Sequence, residues 1–275
     1  MSTTTQKMLP LEPPSVGGSL FASSNMLSLR AMRAIRRVPA TFLPTLAMPI
    51  FQAVAFAGTY FAITKIPGFP TDRSINWFLS LSGCMGGAFS GLGLGFSAIQ
   101  DIENGFMDRL RMAPTPRIAL LLGPLLSSLV RTFVVLTTVL GVGYLFGARP
   151  TQGILGILMF YVAGFGLAIV ATGWGLGLAY RFRDMRGAAL MQLTLFLVLF
   201  TSSAQAPMSM MQGWLLHIAR VNPATNILRL SRQGFLNPPV GGVSWENTWG
   251  GLLAIVVLGT LTMWFAYTGL RKLDE

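Results

Sequence analysis

Long apolar runs separated by short polar segments dominate this sequence of 275 residues. A buried strand needs only about four to eight apolar residues, whereas these runs approach or exceed the ~20 that a helix needs to cross a bilayer. We therefore predict an all-α integral membrane fold in which residues 39–272 form a six-span domain. The predicted transmembrane helices are about Thr41–Thr64, Asn76–Ile99, Ile118–Phe146, Gly153–Tyr180, Ala188–Ala206 and Thr248–Leu270.

The region before the first apolar run divides into two parts. Residues 1–23 are rich in Ser, Thr, Pro and Gly, which is typical of a disordered tail, and they lack the apolar core of a removed signal peptide. Residues 24–38 predict a basic amphipathic helix in the membrane interface, although the same charges also suit a plain basic flank of the first span. The arginines of this helix are Arg30, Arg33, Arg36 and Arg37.

The second predicted span carries a glycine at every fourth position. On a helix, this repeat forms one smooth face that another backbone can approach closely. The face predicts either a helix-packing seam or part of a translocation path, and spacing alone does not separate the two. The glycines are Gly83, Gly87, Gly91 and Gly95.

The polar segment Gln100–Arg117, between the second and third spans, holds three of the nine acidic residues. Within it we predict a short helix from Asn104, its N-cap, to about Met112, ended by Pro114. Such a helix favours docking into a groove on a soluble partner, because its acids would be repelled by the anionic lipid of the alternative, interfacial placement. Its apolar face consists of Phe106, Met107 and Leu110.

The longest stretch outside the spans, Pro207 to about Asn247, is only partly polar. Its first part is apolar and includes Trp214, but it is too short to cross a bilayer. A re-entrant or interfacial helix fits this pattern, since irregular backbone at its ends is tolerated where protein buries it.

The composition supports a membrane protein and narrows its partners. The chain is 52% hydrophobic and 11% charged, whereas soluble domains are about 25% charged. The net charge of +11 comes from arginines beside apolar runs, which favours anionic lipid headgroups and an acidic protein surface over nucleic acid. The single cysteine, Cys84, excludes an internal disulfide and is expected to pack within a span.

Charge asymmetry predicts the orientation. Lys and Arg are concentrated in the N-terminal region, the Gln100–Arg117 segment, the loop Arg181–Gly187 and the C-terminal tail. Both termini and the Gln100–Arg117 segment are therefore expected on the cytoplasmic side. Three tryptophans would then lie at the outer interface: Trp77, Trp245 and Trp249.

The sequence offers little for catalysis. His217 is the only histidine, so neither a multi-histidine metal site nor a proton relay of several histidines can form, and no phosphate-binding loop is present. No acidic residue falls inside a predicted span, which indicates that any transport draws its energy from elsewhere. Arg131 is the one charge deep in a span. It either meets an anionic headgroup or substrate, or is shielded by backbone carbonyls, water or a polar side chain.

Two patches on this six-span background carry a family resemblance. One is DIENGFMDRL, Asp101–Leu110, followed by Pro114–Arg117, and the other is NPATNILRLSRQG, Asn222–Gly234. They are similar to the acidic-Gly-x-x-(D/E)-R-L segment and the Asn-Pro…Arg-Gly region of membrane subunits of type-2 ABC exporters, especially daunorubicin-resistance-like drug permeases. One departure is Gln233, which separates Arg232 from Gly234.

The resemblance implies an ATP-driven exporter in the plasma membrane, built from two permease subunits, identical or different, and two nucleotide-binding ATPase subunits. ATP and Mg would be bound by the ATPase subunits, and no catalytic residue, metal or cofactor is implied for this chain. The cargo would be a hydrophobic or amphipathic drug, lipid or glycolipid leaving the cytoplasm or the inner leaflet.

The resemblance also implies roles for particular positions. A cytoplasmic coupling helix would contact the ATPase through Glu103, Gly105, Phe106, Met107, Asp108, Arg109 and Leu110. The interfacial helix with Arg30–Arg37 would touch the ATPase as well. An outer segment of re-entrant helices would close the exit with Trp214, His217, Asn222, Pro223 and Arg229.

Three other functions are compatible with parts of the pattern. A polysaccharide or lipid-linked glycan exporter would share the same architecture. A membrane-embedded lipid-modifying enzyme would require a cluster of Asp, His and Lys at one interface, which the sequence lacks. A scaffold for another membrane complex would show no dependence on an ATPase.

Overall fold

The computed structural model describes residues 20–37, 43–67, 69–112, 116–237 and 241–273. Within these ranges all the regular secondary structure is helical and no strand occurs, which confirms the all-α prediction. Two short 3-10 helices, Phe61–Lys65 and Met208–Met210, supplement the α-helices. The α-helices are α1 (Leu20–Arg37), α2 (Leu43–Thr59), α3 (Ser74–Glu103), α4 (Phe106–Met112), α5 (Ala119–Leu145), α6 (Gly153–Phe182), α7 (Met185–Phe200), α8 (Gly213–Val221), α9 (Pro223–Arg232) and α10 (Trp245–Arg271).

Four helices in the described part are long and apolar enough to cross a membrane: α3, α5, α6 and α10. Two more, α2 and α7, are apolar but have only 17 and 16 residues. At 1.5 Å per residue these two helices are about 25 Å long, somewhat less than the ~30 Å hydrocarbon core. They end earlier than expected, at Thr59 rather than Thr64 and at Phe200 rather than Ala206.

Helix α3 lies at the centre of the bundle and packs against α2, α5 and, most extensively, α6. All four glycines of its predicted smooth face contact α6. A Cβ atom on Gly87 would lie 2.3 Å from the carbonyl oxygen of Gly164, and one on Gly91 would lie 2.6 Å from that of Ala168. Gly83 faces the Phe160 ring, and Gly95 faces Gly175. Only glycine permits this separation, so the strip is a packing seam between two backbones.

Helix α10 packs on another face of α6 by the same means. Gly173 meets the backbone of Met263, and Gly177 meets the ring of Phe265. Near the end of α6, Arg181 donates hydrogen bonds to the Phe265 carbonyl and the Thr268 hydroxyl, and its guanidinium lies 3.7 Å from the centroid of the Phe265 ring. Helix α6 is therefore held between α3 and α10.

The N-terminal helix α1 runs alongside the first half of α5. Leu27 fills the space beside Gly123. One turn further along α1, the Ala31 carbonyl oxygen accepts a hydrogen bond from Arg131 at 3.0 Å. The helix starts at Leu20, four residues before the expected start at residue 24. The other end of that prediction, residue 38, lies outside the described residues, as do residues 1–19 of the predicted tail.

The stretch after α7 forms a second compact region, at the end of the bundle opposite α4. Asn222 caps α9 by accepting a hydrogen bond from the Ala224 amide, and Pro223 occupies the first turn, where its missing N–H costs nothing. The Asn222 side-chain amide also donates to the Val198 carbonyl at 2.7 Å, which ties α9 to the end of α7. After α9, Gly234 touches the backbone of Gly156 at the start of α6.

We predict that Gly87→Ala lowers the thermal stability of the purified protein in detergent. The added methyl group forces α3 and α6 apart, and overpacking of this kind costs about 1–3 kcal/mol. The matched control is Gly141→Ala on α5, where a Cβ atom meets nothing within 4 Å. Thermal unfolding measured by fluorescence-detection size-exclusion chromatography should show a lower Tm for Gly87→Ala only. Equal Tm values for the two variants would contradict the packing seam.

Candidate functional site

Five helices meet at one end of the bundle around a small cavity, and Arg30 is one of the residues that line it. Its guanidinium, on α1, binds both carboxylate oxygens of Asp101 on α3, at 2.7 and 3.0 Å. It also lies 3.7 Å from the centroid of the Phe106 ring on α4. The hydrogen bonds to Asp101 raise the pKa of Arg30, so the guanidinium stays charged throughout the physiological range. A single side chain thus connects α1, α3 and α4.

The turn between α3 and α4 explains how Phe106 reaches this position. The expected second span ends at Ile99, but α3 continues to Glu103, which carries Asp101 into reach of Arg30. Gly105 then adopts a left-handed conformation with φ +66°, which ends α3 and changes the chain direction before α4 begins. The expected N-cap role of Asn104 is wrong: Asn104 is the C-cap of α3, and its amide donates to the Gln100 carbonyl.

Helix α4 is amphipathic, as expected, but its apolar face points inward. Phe106, Met107 and Leu110 line a cavity of about 60 Å³ beneath the helix, and Met107 is only 7% exposed. The face that we expected to enter a partner's groove is therefore packed against the chain's own bundle. The outward face carries Asp108, Arg109 and Met112, the last of which is 80% exposed.

The junction of α1, α3 and α4 around Arg30, which we call the α4 junction, also includes a buried residue that the sequence analysis did not predict. Tyr180, near the end of α6, is fully buried and donates a hydrogen bond from its hydroxyl to the Leu120 carbonyl at 3.3 Å. Leu120 and Tyr180 both line the cavity under α4. In the sequence Tyr180 is only the last residue of an apolar run, so no local signal marks it.

Arg131 also forms a contact with α1. Its guanidinium donates to the carbonyl of Ala31, the residue directly after Arg30 on α1, and it lies close to Gly93 of α3. Of the alternatives drawn from the sequence, shielding by a backbone carbonyl is the one that the structure displays. Arg33 on α1 is exposed, whereas the side chains of Arg36 and Arg37 lie outside the described part of the chain.

The predicted outer residues occupy the opposite end, far from α4. Asn222 and Pro223 begin α9, and the side chains of Trp214, His217 and Arg229 are exposed. The structure therefore does not bring the outer residues together with the α4 junction.

At this end of the bundle, the burial of Arg232 and Trp77 was not predicted from the sequence. Arg232 is 3% exposed, donates to the carbonyls of Ser203 and Ala204 after α7, and stacks on the Trp77 ring at 3.6 Å. Trp77 was expected at the membrane interface together with Trp245 and Trp249, but it is buried, with Arg232 stacked on its ring and Phe69 packed beside it. The only sequence signal for Arg232 was its place in the second motif patch.

Comparison with known proteins places this geometry in a family. The sequence profile described as ABC-2 type transporter matches residues 25–236, which include α4, the Arg30–Asp101 pair and α9. The chain is 27% identical over 211 residues to the daunorubicin resistance ABC transporter permease protein DrrB1 of Streptomyces coeruleorubidus, covering 74% of this chain and 71% of that protein.

Two further relatives align over almost the whole length. A chain from Mycobacterium tuberculosis named as a doxorubicin resistance ABC transporter permease, DrrC, is 25% identical, with 89% of this chain and 92% of the relative covered. A chain from Pyropia yezoensis named as a transport permease, ycf38, is 27% identical, with coverage of 90% and 88%. The profile match spans well over half of the chain, and the apolar helices fit a multi-pass membrane protein. The chain therefore belongs to the ABC-2 type transporter family, as a transmembrane permease subunit.

Proposed function

We propose that this chain is the membrane half of an ATP-driven exporter that moves a hydrophobic or amphipathic drug-like compound out of the cytoplasm or the inner leaflet. Two of the relatives are named for resistance to daunorubicin or doxorubicin, which supports a cargo of this kind. The ATPase resides in a separate nucleotide-binding subunit, which binds ATP and Mg, and a second permease subunit completes the transport path.

The single observation that carries this proposal is the three-way contact of Arg30. A force applied to the outward face of α4 is transmitted by Phe106 to Arg30, and from Arg30 to both α1 and α3. Helix α3 is the centre of the bundle, so its displacement alters the packing of α2, α5 and α6 together. This geometry suits a coupling helix whose charged face binds an ATPase while its apolar face packs against the membrane domain.

The proposed topology has six spans with both termini and α4 in the cytoplasm. Helices α2 and α7 are the two remaining spans of the six. The 3-10 helix Phe61–Lys65 extends α2, and the turn Thr201–Ala206 extends α7. The short helices α8 and α9 form the re-entrant outer segment. Arg232 supports this arrangement, because it donates hydrogen bonds to the carbonyls of Ser203 and Ala204 in the non-helical segment after α7.

The distribution of acidic residues is consistent with transport that is driven by an external source of energy. In the described spans, acidic residues occur only near helix ends, as with Asp101 and Glu103 in α3 and Glu246 in α10. A carrier driven by protons or sodium ions usually holds a carboxylate deep in the membrane. Arg131, the charge in the middle of α5, is bound to α1 and so belongs to the coupling apparatus in this proposal.

We predict that reversing either charge of the Arg30–Asp101 pair uncouples transport and that exchanging both restores part of it. Arg30→Asp places two carboxylates together, and Asp101→Arg places two guanidinium groups together. Both side chains are partly exposed, so the pair contributes only about 1 kcal/mol to stability and abundance should change little.

The measurement is ATP-driven efflux of a fluorescent anthracycline from vesicles that contain the permease and its ATPase subunit. Recovery in the double exchange should be incomplete, because the new arginine at position 101 no longer stacks on Phe106. If both single reversals transport at the wild-type rate, the pair has no coupling role.

A second prediction concerns the outward face of α4. Asp108→Lys should reduce both efflux and substrate-stimulated ATP hydrolysis while leaving membrane insertion intact, because it reverses a charge at the proposed ATPase contact. The matched control is Lys272→Asp, an exposed charge reversal at the same end of the bundle but beyond α10. Equal losses in the two variants would point to general charge effects instead of docking by α4.

A third prediction tests Arg131 as a positioning residue. Arg131→Leu removes the hydrogen bond to the Ala31 carbonyl and should release α1 from α5, so that transport per molecule falls more than protein abundance. Arg131→Lys retains a donor and should recover part of the activity. A fall in abundance that matches the fall in transport would instead assign Arg131 a purely structural role.

A further inference from the structure

A cavity of about 220 Å³ lies at the end of the bundle opposite α4. It is enclosed by the start of α3, the segment after α7 and one face of α9. Two arginines, Arg229 and Arg232, line it together with the apolar side chains of Trp77, Met208 and Leu236. Among the described residues, none that lines the cavity is acidic.

Arg232 provides a fixed positive charge in the wall of this cavity. Its two terminal nitrogens are held by the Ser203 and Ala204 carbonyls, and the Trp77 ring covers one face of the guanidinium. Within the described part of the chain, its buried Nε has no hydrogen-bond acceptor. Carbonyl oxygens carry only partial charges, so they offset this cation incompletely and leave the cavity electropositive.

Arg229 and Thr225 extend the same face of α9 at helical spacings of three and four residues. Arg229 is exposed, and no described contact holds its guanidinium. The Thr225 hydroxyl accepts a hydrogen bond from the Ser203 amide at 3.2 Å, which leaves its own proton for another acceptor. An exposed guanidinium and a hydroxyl therefore line a space that already carries a positive charge.

We propose that this cavity binds the phosphate of an anionic phospholipid headgroup, with Arg229 as the direct contact and Arg232 as the fixed charge. Arginine binds phosphate oxygens in a planar, bidentate geometry, and basic pockets between membrane helices recognise anionic headgroups. The volume is below the ~300–1,000 Å³ of sites for drug-sized ligands, so the cavity holds a headgroup and not a whole anthracycline.

The surroundings favour a lipid over a free anion. Pro207 and Met208 form an apolar rim beside the arginines, which suits the glycerol and the first methylenes of a lipid. Trp214 and Trp245, both strongly exposed, lie at the same end of the bundle and are typical of a membrane interface. Binding of lipid at this site can be tested independently of the proposed coupling to an ATPase, because the site involves none of the residues around Arg30.

The test is native mass spectrometry of the purified full-length chain in a zwitterionic detergent, with phosphatidylglycerol or phosphatidylcholine added. Wild-type protein should retain phosphatidylglycerol preferentially. Arg229→Gln should lower that affinity at least about tenfold, because the loss of even one hydrogen bond between charged groups has an effect of that size. Because Arg229 is exposed, this variant should fold normally, which its Tm will show.

The matched control is Arg149→Gln, which removes an exposed arginine at the same end without touching the cavity. Its affinity for phosphatidylglycerol should equal that of the wild type. Unchanged binding in Arg229→Gln, an equal loss in Arg149→Gln, or equal retention of the two lipids would each overturn the proposal. A further arm adds inorganic phosphate: displacement of the lipid at equimolar phosphate would show that the site takes the free anion, which would also overturn the lipid assignment.

Discussion

Close contact between the backbones of α3 and α6 is the constraint on which the rest of this bundle depends. Inside a bilayer, burial of apolar surface does not drive helices together, because lipid tails are as apolar as side chains. Attraction must come from dispersion contacts at short range, and glycine at every fourth position of α3 permits them. With α6 fixed against α3, the opposite face of α6 is available to α10, and the remaining faces of α3 receive α2 and α5.

The same helix joins the two ends of the molecule at which charged side chains are concentrated. Helix α3 has 30 residues, which corresponds to a length of about 45 Å. At one end Asp101 binds Arg30, and at the other Trp77 stacks on Arg232. Beside Trp77, the Asn76 side-chain amide donates to the carbonyls of Arg149, before α6, and Phe235, after α9. A rigid displacement of α3 that begins at α4 would therefore also move the wall of the cavity beside α9. We regard this continuity as the physical link between the coupling junction and the opposite face.

Several parts of this arrangement were accessible from the sequence because they depend on local chemistry. Asn222 caps α9 and Pro223 fits its first turn, which is a local signal for a helix start that our prediction of the outer segment did not use. The glycine spacing in α3 predicts a smooth face but not which helix occupies it. Asn104 was misassigned because an asparagine between two helices suits either a C-cap or an N-cap, and the left-handed Gly105 decides between them.

The sequence by itself determined the all-helical membrane character, the approximate positions of the apolar helices and the existence of an amphipathic segment between α3 and α5. These properties follow from hydropathy and periodicity, which are set by neighbouring residues. Only the tertiary structure decided which way α4 faces, which helix Arg131 binds, and that Arg30 meets Asp101 across 71 positions of sequence. A charged side chain in a low-dielectric helix bundle pairs with whichever distant group can hydrogen-bond to it. The position of that group depends on the fold, so neighbouring residues in the sequence do not reveal it.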